Sequence, residues 1–256
     1  MARINNFTMN NRDIKRGFQL SNPNHPSGLG QIPFESSRKE MTPSFLLHLI
    51  LIQLILHQPT AWGLVNLTEG FLSLPLNQSN FVIQRPYDVP ENQRYSFVDG
   101  VHRLWVFSTD KPHTPISKTN PRTEIRIHGY DYSSGVWQFE GYGYIPCGTS
   151  CVCVMQVFGS SPPHATTLML RVYNGSLSYY KAPVLVPYIY DKWFRLNVIH
   201  DVSAKNVKVF IDGVLKYEAT GRGGTSHFFE CGVYAQNDSS YYMESRWKGI
   251  KVLKKM

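Results

Sequence analysis

The stretch VKVFIDGVLKYEA, residues 207–219, sets two alternating runs on either side of Asp212-Gly213. Asp-Gly supplies the two positive φ angles that a two-residue hairpin turn requires. The stretch therefore predicts paired antiparallel strands over 206–212 and 214–219. Working outward, Asn174-Gly175 repeats the signal between TTLMLRVY (166–173) and LSYYKA (177–182). Further alternating runs lie at 96–108, 124–131, 135–145, 150–159, 192–201, 227–236 and 241–253, and no helical period is sustained after residue 64. Many short strands at this spacing predict an all-β sandwich or barrel. Residues 64–95 contain Pro75, Pro86 and Pro90 and read as an irregular segment or edge strands. With no internal repeat or linker, 64–256 reads as one domain.

The N-terminal part has a different character. FLLHLILIQLIL, residues 45–56, is the longest apolar run. It falls short of the ~20 residues a membrane helix needs and suits the apolar core of a secretory signal peptide. Arg38 and Lys39 precede it, and Ala61 and Gly63 supply small residues for cleavage after Gly63. Residues 41–63 are thus expected to be a signal peptide, with Met41 as a second candidate start. Residues 1–40, rich in Asn, Ser, Pro and Gly, are expected to be a disordered leader or an extension of the gene model. The expected destination is the secretory pathway, ending outside the cell or in the vacuole. The sequons at Asn66, Asn77, Asn174 and Asn237 are candidate glycosylation sites on that route.

The chain carries a formal net charge of +8 with 17% charged residues, but its basic residues are scattered. That pattern argues against nucleic acid as a partner, and removal of the signal would leave no membrane segment. Four cysteines, Cys147, Cys151, Cys153 and Cys231, follow residue 64. An even count in a secreted chain suggests disulfides, with three connectivities open. A zinc site lacks support, because C-x3-C-x-C has neither a paired C-x2-C nor a nearby histidine. No metal or other cofactor is expected.

Three strands carry polar residues that a plain sandwich does not need. Side chains alternate across a strand. Arg122, Glu124, Arg126 and His128 therefore share one face, and Glu230, Gly232, Tyr234 and Gln236 share another. Gln156 stands among apolar neighbours in CVCVMQVFG. Taken alone, the Arg-Glu-Arg series is a solvated ion-pair ladder. A buried amide such as Gln156, however, needs partners.

RTEIR (122–126), MQVFG (155–159) and FFECGVYAQ (228–236), in that order, resemble the three motif strands of alginate-lyase-type polysaccharide lyases, which read roughly R-[ST]-E-L-R, Q-[IV]-H and Y-F-K-x-G-x-Y-x-Q. RYSFVDGVHRLWVFSTDKP and SSYYMESRW extend the likeness towards the citrate-binding branch of that superfamily in plants. The resemblance covers about 69–255 and implies a β-jelly-roll sandwich, concanavalin-like, whose concave sheet forms an open cleft. It also implies a chemistry. Such lyases cleave uronic-acid chains by β-elimination. Arg and Gln neutralise the carboxylate beside the C5 proton, while a tyrosine takes that proton and protonates the leaving oxygen.

Carried over, Arg122 or Arg126 and Gln156 would be the carboxylate donors. Tyr234 would be the acid/base, its pKa lowered by a nearby arginine. Glu124 would orient the arginines. Two departures stand out: Phe158 replaces the histidine, and Glu230 replaces the lysine. If the motif strands are neighbours, Cys153 and Cys231 would point away from the cleft and bridge behind it, with Cys147–Cys151 closing the CGTSC loop.

The expected function is a monomeric binding protein for carboxylate ligands, citrate or acidic oligosaccharides. Arg122, Glu124, Arg126, Gln156, Tyr234 and Gln236 would form its site. The alternative is a polyuronate lyase using Tyr234, Gln156 and Arg126. A third possibility is a structural or neutral-glycan-binding wall protein.

Overall fold

Three Asx-Gly turns fold the chain back on itself. Asp99-Gly100, Asn174-Gly175 and Asp212-Gly213 all have positive φ at both residues, as type I′ turns require. The last two join β8 (Thr166–Tyr173) to β9 (Ser176–Tyr179) and β12 (Asn206–Ile211) to β13 (Val214–Thr220), as expected. The first splits the run at 96–108, which alternation alone reads as continuous, into β3 (Tyr95–Val98) and β4 (Val101–Phe107). The computed structural model describes residues 66–256. The expected leader and signal peptide lie outside the described residues.

The remaining strands are β1 (Phe71–Ser73), β2 (Phe81–Gln84), β5 (Arg122–Ile127), β6 (Val136–Tyr144), β7 (Val152–Phe158), β10 (Val184–Val186), β11 (Trp193–Asp201), β14 (Phe228–Ala235) and β15 (Tyr242–Lys255). Two antiparallel sheets result. One runs β13-β12-β11-β6-β15-β4-β3, with β1 paired to the end of β15. The other runs β10-β9-β8-β7-β14-β5-β2. The proline-punctuated segment supplies β1 and β2, both at sheet margins, where a missing N–H is tolerated. This is a jelly-roll sandwich.

Between the sheets lies one apolar core, including Leu104, Phe139, Met155, Phe194, Phe229 and Trp247. Alternation supplies it from both sides: in β5, Ile125 and Ile127 join the core while Arg122, Glu124 and Arg126 take the other phase. The second sheet thus presents its polar phase outward, and the three motif strands β7, β14 and β5 stand side by side at its centre.

One irregularity shifts the phase. Across β7 and β14, Cys231 pairs with Met155 but Tyr234 pairs with Cys153, so Gly232 and Val233 span a single residue, Val154. Val154 is likewise the unpaired residue against β8. Val154 and Met155 both enter the core. This is a β-bulge, which breaks strict alternation. It turns Cys153 onto the face that bears Gln156, whereas Cys231 packs in the core. The expectation that both cysteines point behind the cleft is corrected here. No bridge joins them, and Cys147, Cys151, Cys153 and Cys231 are all free thiols in the structure.

Candidate functional site

The strand register brings the motif residues together. Arg122 lies opposite Tyr234, Glu124 opposite Gly232, and Arg126 opposite Glu230 across β5 and β14. On the other flank, Gln156 of β7 lies opposite Glu230. Gly232 makes this approach possible. Its φ is +152°, and a Cβ there would sit 2.3 Å from the carbonyl oxygen of Thr123. Only glycine accepts both conditions.

Glu124 is fully buried. The Gln156 side-chain nitrogen donates to both of its carboxylate oxygens at 3.0 Å, and Arg122 Nη1 donates to Oε2 at 3.4 Å. Arg122 also reaches Gln84 Oε1 at 3.5 Å, and its guanidinium lies 3.8 Å from the Tyr234 ring centre. Its Nε is buried with no hydrogen-bond partner among the described residues. The site is thus no wet ion-pair ladder. Arg122, Glu124, Gln156 and Glu230 are all buried.

Glu230 accepts from Gln84 Nε2 at 2.6 Å, while its Oε2 is buried and unpartnered among the described residues. Burial raises its carboxyl to about 7, against the pull of Arg122, Arg126 and Gln84. Burial and the neighbouring Glu230 push Glu124 up to about 8, opposed by Arg122 and Gln156. Two carboxyls this close and this dry hold protons easily.

Tyr234 departs from expectation. Burial outweighs Arg122, and the phenol sits above its ordinary value instead of below it. The arginine does act in the predicted direction, but desolvation of the phenolate is the larger effect. Arg126 turns away from Tyr234. Its Nη2 pairs with Asp131 at 2.5 Å, its Nη1 lies 3.1 Å from His128 Nδ1, and its guanidinium stands 4.0 Å from the Phe228 ring centre. Phe158, which is exposed, stacks on the half-buried Phe228 at 4.9 Å with planes 22° apart, so an aromatic pair stands at the position where the lyase motif has an imidazole. Gln236 lies beyond the end of β14, its amide bonded to the carbonyls of Tyr234 and Ala235. Cys153 has Glu124, Arg171 and Glu230 as charged neighbours, and burial pushes its thiol well up.

Several neighbours of the site were not singled out from sequence. Gln84 comes from the proline-rich segment, where no pattern marks it. Arg171 occupies the same phase as Thr167 and Met169 in TTLMLRVY; a lone cation in an otherwise apolar strand was the available signal. His113, in the segment between β4 and β5, is close enough for Arg122 to push its imidazole down, second to burial.

Comparison with known proteins agrees with this architecture. The family model described as alginate lyase matches residues 74–254. A citrate-binding protein from Hevea brasiliensis is 56% identical over 188 residues, 73% of this chain and 79% of its own length. Among solved structures, alginate lyase AlgAT5 from polysaccharide lyase family 7 superposes with a TM-score of 0.51 at 19% identity, covering 71% of this chain and 92% of that one. Alginate lyase A1-II′ gives 0.56 at 13% identity, over 70% and 96%. At such identities the structural likeness speaks for the fold alone.

Proposed function

Since the chain belongs to the alginate lyase family, we propose that it is a binding protein for carboxylate ligands, citrate or acidic oligosaccharides, on a polysaccharide-lyase scaffold. The observation that carries this reading is the Phe158–Phe228 stack. It fills the place of the second proton-transfer group with a side chain that cannot move a proton. Around it, Glu230 brings a carboxyl where the family pattern has a cation. The Gln156 amide nitrogen, a donor that elimination would direct at the substrate carboxylate, is spent on Glu124. An enzyme loses about 10²–10³ in rate for a single missing oxyanion donor. The strong identity to a protein named for citrate binding supports the same conclusion.

The second reading, β-elimination by Tyr234 alone, draws on the Arg122–Tyr234 contact at 3.8 Å. Its weakness is a phenol that holds its proton more firmly than a free tyrosine. On the main reading the protein enters the secretory pathway; the apolar run at 45–56 and the exposure of all four sequon asparagines support this.

Titration calorimetry with citrate and with oligouronates tests the binding reading, alongside an absorbance assay for the unsaturated product of elimination. Heat of binding without product is the expected result. Product formed by the wild type and lost in Tyr234→Phe overturns it in favour of the lyase.

A further inference from the structure

The outward face of the second sheet continues past β14 and β7 to β8 and β9, where it opens into a groove of about 710 Å³. Arg171, Tyr173, Ser178 and Lys181 line it from β8, β9 and the turn beyond, and Gln236 and Asp238 close it from the end of β14. The charges here differ from those at the motif strands. Arg122 is held by Glu124 and Arg126 by Asp131. Arg171 and Lys181 have no carboxylate partner among the described residues.

The guanidinium of Arg171 is poorly satisfied. Nη2 donates to the thioether of Met169 at 3.1 Å, Nη1 reaches the Tyr173 hydroxyl at 3.4 Å, and Nε is buried with no partner. A thioether is a weak acceptor. A half-buried guanidinium in that state lacks the fork-matching carboxylate that such a group binds best. Lys181 adds a second, exposed cation on the same groove, and the lone lining acid is Asp238 at the exposed rim.

We propose that Arg171 and Lys181 anchor the ligand carboxylate, so that the binding centre lies in this groove and not on the motif arginines. This rests on the carboxylate-binding reading and locates its site. The recognised chemistry is a carboxylate, from either a small polycarboxylate or a uronate chain. Arg171 takes one carboxylate through Nη1 and Nη2, which give up their weak hydroxyl and thioether contacts for it, and Lys181 meets a second negative charge at the open side. Asp238 opposes anionic ligands and limits their charge at the rim.

Titration calorimetry on the full chain, with citrate in one arm and trigalacturonate in the other, tests the assignment. Arg171→Gln and Lys181→Glu should each weaken binding about tenfold or more. Asp238→Asn, which keeps a residue suited to the positive φ of 62° there, should tighten it. Lys216→Glu, the same charge change on an exposed position of β13, should leave it unchanged. Stronger binding of citrate identifies a small polycarboxylate, and stronger binding of trigalacturonate a uronate chain; either supports the anchor when the variants respond as stated. Wild-type affinity retained in both Arg171→Gln and Lys181→Glu overturns the groove and leaves the carboxylate reading standing. No binding of either ligand by the wild type overturns both.

Discussion

Arg122 is held between the Tyr234 ring, 3.8 Å from its guanidinium, and the buried carboxyl of Glu124, 3.4 Å from its Nη1. Glu124 titrates at about 8 in the folded protein even with Arg122 beside it, so a partner left alone takes up a proton and the cost stays below the about 3–5 kcal/mol of a buried pair broken between fixed charges. Arg122→Gln should therefore lose less than about 3 kcal/mol at pH 8. At pH 5 the loss should be smaller still, because Glu124 is already protonated there in the wild type. Urea denaturation at the two pH values measures the difference, and adding Glu124→Gln should recover much of the pH 8 deficit.

Glu124 and Glu230 also give the wild type a pH dependence of known sign. Both carboxyls are raised in the folded protein, to about 8 and about 7. The unfolded chain ionises first as pH rises, so the stability these groups contribute is complete below the unfolded carboxyl value. It is lost as pH climbs through 7 and 8. The melting temperature should fall between pH 5 and pH 8. Glu230→Gln should flatten that slope, since it removes one titrating group and the like charge that raises the other. Thermal unfolding followed by circular dichroism reads both effects.

The two departures from the lyase pattern can be reversed. Phe158→His restores an imidazole on the β7 face beside Gln156, and Glu230→Lys restores a cation between the arginines. The double variant should produce unsaturated uronate from a polyuronate where the wild type produces none, as absorbance of the new double bond will show. Adding Tyr234→Phe to it should abolish the signal. The neutral Phe158→Leu change, tested with Glu230→Lys, should stay inactive.

Gly232 is the steric pivot of β14. An alanine there would place Cβ 2.3 Å from Thr123 O at a φ of +152°. Strained backbone of this kind costs about 1–3 kcal/mol before any displacement of β5. Gly232→Ala should lower the denaturation midpoint by at least that amount and lower the amide-exchange protection of β5. A variant of wild-type stability would show that the two strands have more room than their register implies.

The fold was legible because its signals are local. Asn174-Gly175 and Asp212-Gly213 carry turn geometry in two residues, and alternation marks the core phase of β5, β6, β8, β11 and β12. What escaped was set by neighbours. Asp99-Gly100 carries the same turn chemistry, but it sits inside a run whose alternation continues on both sides. The bulge at Val154 is a property of three adjacent strands, and no residue in CVCVMQVFG announces it; it reverses the predicted direction of Cys153. The three motifs named the residues at the centre of the sheet. Their ionisation did not follow, because the Tyr234 phenol and the Glu124 carboxyl respond to burial created by the whole sandwich. Arg171 was overlooked for a related reason: its significance lies in the missing acid partner, which only the packed arrangement reveals.

Gly232 has no functional group, yet it fixes how closely the two arginine- and tyrosine-bearing strands meet. The frame is therefore maintained at a position that takes no part in any reaction. The side chains at 158 and 230 lie outside that close contact with Thr123 and Glu124. Shape and chemistry are thus set by different residues of this sheet, so likeness in the one does not carry likeness in the other.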